Sequence, residues 1–147
     1  MVCEVVRDAL TTFNSCTESE AGARVPTHCL YPSFDYVHVY VVKYGHGFKV
    51  HDAGGAFRCA WEHGREPPII TRYLNQEALR FHLAVVDTSL VAEAPSVDWL
   101  EAAILSVSNA SAAAATRAVA HLASAVEYDL VAKIYEILVG TFSSKRV

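Results

Sequence analysis

Signatures of high specificity are missing from this chain. Its four cysteines form no CxxC pair, no GxGxxG loop or Walker lysine is present, and no histidines fall at HExxH or HxH spacing. Dithiol redox, dinucleotide, P-loop and zinc-protease chemistry therefore have no motif to rest on. Charge is sparse as well. Charged residues make up 19% of the sequence, with sixteen acids and twelve bases spread evenly to a net charge of −4. No basic stripe results, so duplex nucleic acid is not an expected partner. No apolar run is long enough for a membrane span, and the first residues do not read as a signal peptide. Cys3, Cys16, Cys29 and Cys59 then suggest a reduced, cytoplasmic protein with free thiols. No cofactor or metal is expected, and no repeat or linker divides the chain.

What is present is apolar. Hydrophobic residues account for 52% of 147 positions, enough for one globular domain with its own core. The organising stretch is Phe34 to Gly64, which reads as a β-hairpin followed by a glycine turn and a short helix. Tyr36 to Lys43 is rich in valine and tyrosine, residues suited to a pleated, half-buried surface. Gly45-His46 supplies a two-residue loop of type II′, with glycine at the position that needs positive φ. That turn sets Lys43 opposite Phe48, Val41 opposite Val50 and Tyr40 opposite His51. Alternation then places Val37, Val39, Val41, Phe48 and Val50 on one face, the core face. His38, Tyr40, Val42, Tyr44, Lys49 and His51 share the other, which either lies under a helix or meets a partner.

Asp52-Ala53-Gly54-Gly55 is turn chemistry: the carboxylate accepts backbone N–H groups where glycine takes conformations closed to other residues. Asp52 also suits the cap of a helix over Ala56–His63, ended by Gly64. A valine-rich strand, a glycine turn, a second strand ending in aspartate, a D-x-G-G turn and a short helix resemble a family of small bacterial proteins. That family is catalogued as a domain of unknown function and also occurs on phages and plasmids. The likeness spans roughly Pro32 to Val107 and lies in order and spacing more than in identities. The chain has His51-Asp52 where a shorter hydrophobic-Asp pattern is typical. The resemblance implies a fold; it brings no activity or catalytic residue with it.

Elsewhere, Val2, Val5, Val6, Ala9, Leu10 and Phe13 lie at helical spacing, which predicts a helix over 2–13. Asn14 to Gly22 is polar and reads as a loop. Arg24 to Leu30 predicts a strand, and Pro26 suits an edge better than a centre. Pro67-Pro68 reads as a breaker, Asn75 as the N-cap of a helix to about Leu83, and Ala84–Val86 with Leu90–Ala92 as a second hairpin. Ser96 opens a further helix, the alanine-rich stretch Ala110 to Ala125 is another, and Tyr128 to Val139 is the last, ended by Gly140 with 143–146 as a frayed tail. The expectation is a single α+β domain over 1–147: a small antiparallel sheet core at about 24–52, centred on the hairpin and packed against several helices, with a helical C-terminal half at about 96–139.

The binding candidates are His38, Tyr40, Tyr44 and His51 on the outer hairpin face, with Asp52, Gly54 and Gly55 in the turn that follows. They favour a non-enzymatic binding or regulatory module of bacterial or phage origin, its partner a protein, with self-association as a symmetric dimer. The alanine-rich helix at Ala112–Ala120 and the His38/Tyr40/Tyr44 face compete for the dimer seam. The alternative is a metal-assisted hydrolase using His38, His51 and Asp52, since imidazoles and a carboxylate are the ligands such an ion takes. A third reading, Cys59 activated by His63 one helical turn on, is set against an inert buried thiol.

Overall fold

A computed structural model describes residues 1–145, without the side chains of 122–129 and 141–145. The hairpin lies at the middle of a six-stranded antiparallel sheet of order β1-β2-β3-β4-β6-β5. Its strands are β1 (Thr17–Ser19), β2 (Gly22–Leu30), β3 (Tyr36–Tyr44), β4 (Gly47–His51), β5 (Ala84–Val86) and β6 (Ser89–Ala94). The β3–β4 register is the one the turn dictates: Lys43 faces Phe48, Val41 faces Val50, and Tyr40 faces His51. Gly45 has φ +58°, as a type II′ turn requires. The sheet is wider than 24–52. The second hairpin joins it, β6 pairing with β4 through Phe48–Ala94 and Val50–Ala92.

Val37, Val39 and Val50 are fully buried on the core face, and Val41 and Phe48 pack at its margin. Three helices cover that face: α2 (Gly55–Glu62), α3 (Pro67–Phe81) and α4 (Leu100–Lys145). The outer face stays open at the hairpin tip, where Val42 and Tyr44 are exposed and the Lys49 amine lies 3.9 Å from the Tyr44 ring.

Several boundaries differ from expectation, each for a local reason. The N-terminal helix α1 stops at Ala9, and a single tight turn takes over at Thr11–Asn14. No residue of α1 is buried, so no packing holds its apolar stripe in helix. The polar 14–22 segment contains β1, which pairs with β2 only as far as Arg24. Pro26 therefore sits where β2 has one strand neighbour, β3, and its missing N–H breaks no ladder bond. Just beyond, the register shifts, and the buried Thr27 hydroxyl donates to the Val37 carbonyl and accepts from the Cys29 N–H.

Pro67 and Pro68 begin α3 instead of breaking the chain, because the first helical positions need no N–H partner. The three expected C-terminal helices are one. No proline or glycine interrupts 100–139, and Gly140 costs helix stability without ending it. Of the expected frayed tail, 143–145 are helical and Arg146 lies outside the described residues.

The alanine run is an internal seam. Ala110, Ala114, Ala115 and Ala118 are buried against α2 and α3, while within the expected dimer contact at Ala112–Ala120 the side chains of Ala112 and Ala113 are half-buried and Ala120 is exposed. Small side chains let α3 approach closely enough for Arg117 of α4 to reach the fully buried Glu77 at 2.7 Å.

Candidate functional site

Asp52 is the hub of the fold. It follows β4, is 2% exposed, and gathers donors from three elements. Its Oδ1 accepts the N–H of Gly54 at 3.1 Å and of Leu90 at 3.0 Å. Its Oδ2 accepts the Ser111 hydroxyl at 2.7 Å and the Ala56 N–H at 3.4 Å. One carboxylate thus caps α2 from upstream, ties it to β6, and fixes it to α4. The Ser111 hydroxyl, having given its proton to Asp52, accepts from the Tyr31 hydroxyl at 2.8 Å. Burial raises the Asp52 carboxyl above its ordinary 3.8, with the four hydrogen bonds opposing. Burial also raises Tyr31, as does the nearby Asp52 charge.

The two glycines serve this hub differently. Gly54 has φ +70°, the left-handed conformation that lets the chain turn into α2. Gly55 has ordinary φ but no room: a Cβ there would run into the Tyr31 hydroxyl. Ala53 has φ +52°, so a side-chain-bearing residue adopts the left-handed conformation as well.

Over this hub opens a cavity of about 460 Å³ between the outer sheet face, the β2–β3 loop and α2. The sheet contributes Arg24, Tyr36, His38 and Tyr40; the loop contributes Tyr31, Ser33, Phe34 and Asp35; Asp52 and Gly55 lie at the turn, and α2 adds Arg58, Cys59 and Glu62. Four of the seven expected binding residues, His38, Tyr40, Asp52 and Gly55, are brought together here. The other three are elsewhere: Tyr44 is exposed at the hairpin tip, Gly54 shapes the turn, and His51 is committed to structure. The His51 Nε2 lies 2.9 Å from the Ala21 carbonyl and must donate to it, leaving Nδ1 to accept the Ala53 N–H at 3.0 Å.

That pairing takes His51 out of the hydrolase arrangement. Both ring nitrogens are engaged, the Asp52 oxygens are saturated, and no group of three metal-ligating side chains converges among the described residues. The Cys59 thiol is also quiet. Burial raises its pKa, and His63 at 4.0 Å is not its base, because Nδ1 of that ring donates to the Cys59 carbonyl at 2.7 Å.

What remains available is cationic and aromatic. Arg24 and Arg58 form no ion pair among the described residues. Burial, with Arg24 beside it, lowers His38 below 6.5, so its imidazole is neutral at pH 7. Phe34 sits at the rim with φ +69° and 83% of its surface exposed. A bulky residue in left-handed backbone with its ring in water is strained and solvated at once, a combination that clusters at binding sites. On α2, Trp61 is exposed one turn beyond Arg58. Sequence reasoning passed over Arg24, Phe34 and Trp61. Arg24 had one readable signal, since it faces Tyr40 across β2–β3 once the register is fixed; the conformation of Phe34 had none.

No family model, curated protein or solved structure matches this chain, so the site is read from its geometry alone.

Proposed function

We propose that this protein acts by binding rather than by catalysis, and that its partner is a protein segment carrying a carboxylate. The carrying observation is the juxtaposition, around one cavity, of two guanidinium groups without carboxylate partners among the described residues and the exposed ring of Phe34. Arginine and aromatic side chains anchor protein interfaces, and a guanidinium takes a carboxylate in a two-pronged grip. Support also comes from three groups that the sequence offered for chemistry, each already engaged: Asp52 by four donors, His51 through both nitrogens, Cys59 as a protonated thiol. Asp35 and Glu62 at the same cavity give the segment's amide or amine groups an acceptor.

The test is selection from a random peptide display library, followed by titration of enriched peptides against the parent, Phe34→Ala and the double variant Arg24→Ala/Arg58→Ala. Enrichment of acidic residues or free C-termini is expected, with each variant weakening binding by about tenfold or more at unchanged melting temperature. Peptides that bind all three proteins equally overturn the site. Failure of any acidic peptide to enrich overturns the chemistry.

A further inference from the structure

The C-terminal part of α4 is a second apolar surface, separate from the cavity and independent of the reading given to it. Leu130, Val131, Ile134, Tyr135, Leu138 and Val139 are between 47% and 69% exposed. At 100° per residue they fall on one side of the helix, with Val131 and Leu138 at its centre, while Lys133 and Glu136 point the opposite way. Six large side chains showing on the order of 100 Å² each present roughly 600 Å², approaching the ~800 Å² that each partner buries in a standard stable interface.

We infer that this face is covered by a second copy of the chain, in an antiparallel helix pair whose two-fold axis passes between Ile134 and Tyr135. The argument is in the spacing. About that midpoint Leu130 maps onto Val139, Val131 onto Leu138, and Ile134 onto Tyr135, so an antiparallel copy sets apolar residue against apolar residue along the whole face. A two-fold interface must be self-complementary in this sense, and closed two-fold pairs are the commonest assembly. Lys133 and Glu136 remain in water on the outer side, which keeps charge out of the centre. A bilayer surface is the poorer occupant. The polar side offers one lysine against one glutamate and the chain carries −4 overall, so nothing draws it to anionic lipid. The seam differs from the alanine-rich stretch, whose buried alanines the chain covers itself.

Light scattering on the full chain across the micromolar range reads the assembly, with a mass of twice 16.0 kDa expected. Ile134→Lys should return it to one chain mass, and Glu136→Lys on the outer side should leave the dimer intact. Glu136→Lys should leave the melting temperature unchanged, and Ile134→Lys should lower it only to the value the parent shows when diluted to monomer. Orientation is read by oxidative cross-linking with the exposed Cys3 and Cys16 changed to serine. Val131→Cys mixed with Leu138→Cys should cross-link, and either variant alone should not. A parent that stays monomeric overturns the inference, and so does a monomer that binds neutral or anionic vesicles. Cross-linking of Val131→Cys with itself overturns the antiparallel register.

Discussion

Replacing Asp52 separates two roles that one carboxylate holds together, shape and charge. Asp52→Ala leaves the N–H groups of Gly54, Leu90 and Ala56 without their acceptor and frees the Ser111 hydroxyl, all in buried surroundings. An unsatisfied buried donor costs about 1–3 kcal/mol, and the 3.4 Å bond from Ala56 counts at the low end. Release of a desolvated charge offsets part of this, so the net loss is about 3–5 kcal/mol. Asp52→Asn keeps an oxygen where Gly54 and Leu90 donate but turns an amide NH₂ toward Ser111 and the Ala56 N–H. Ser111 can rotate to accept; Ala56 cannot. The loss falls to about 1–3 kcal/mol.

Urea unfolding of the three proteins measures both steps, provided the m-values agree. Equal stability of the alanine and asparagine variants would refute the donor accounting, as would a loss under 1 kcal/mol for alanine. The pH dependence adds a signed check. Burial raises the native carboxyl above its ordinary 3.8, so the native state holds the proton more tightly than the unfolded chain. This group's contribution is then fully present below the unfolded value and is lost as pH rises through the native one. The deficit of Asp52→Asn should therefore be largest at low pH and shrink across that window. A deficit that grows there would mean the hydrogen bonds outweigh burial.

Three further perturbations read the same region. Gly55→Ala should cost about 2 kcal/mol or more, because its Cβ meets the Tyr31 hydroxyl, and Tyr31→Phe should rescue part of that loss in a double-mutant cycle on urea midpoints. Ala53→Gly should raise stability by about 1 kcal/mol by relieving left-handed strain at φ +52°; a melting temperature that falls would show that the methyl group packs. Arg117→Met strips the nearer cation from the fully buried Glu77 and leaves Arg80 at 3.7 Å, so a loss of about 2–4 kcal/mol is expected by the same titration, with Glu77→Gln added to it restoring some of the difference.

The hairpin was legible because its information is local. A period-two row of valines and one glycine turn fix register, face and pairing together, and a slip of one residue would expose Val37, Val39 and Val50. Asp52 as a cap was legible for the same reason. Its other partners were not: Leu90 and Ser111 are 38 and 59 residues away, and nothing near them in sequence marks a shared carboxylate. Helix boundaries failed where local signs have two meanings. Pro67-Pro68 suits a break or a first turn, and only the burial of Ile70, Tyr73 and Leu74 decides for the turn. The outer face was half right. His38 and Tyr40 reach the cavity, but His51, one strand over, is drawn to the Ala21 carbonyl, a contact set by how β1 and β2 fold back.

The hub also explains how a small domain can hold a strained rim. Phe34 and Ala53, side-chain-bearing residues in left-handed backbone, both raise the energy of loops beside the cavity. Such conformations persist only where neighbours over-determine them. Tyr31 supplies that for the first loop: its N–H donates to the Asp35 carbonyl, its own carbonyl accepts from Phe34, and its hydroxyl is anchored through Ser111 to Asp52. Asp52 supplies it for the second through Gly54 and Ala56. Cutting the chain at Tyr31→Phe removes one hydrogen bond and should cost about 1 kcal/mol of global stability. Its larger effect should be local, with the Phe34 amide, bonded to the Tyr31 carbonyl, losing hydrogen-exchange protection ahead of the Val39 amide at the centre of the sheet. If both amides lose protection equally, the loop is held by the whole core and not by this chain of three side chains.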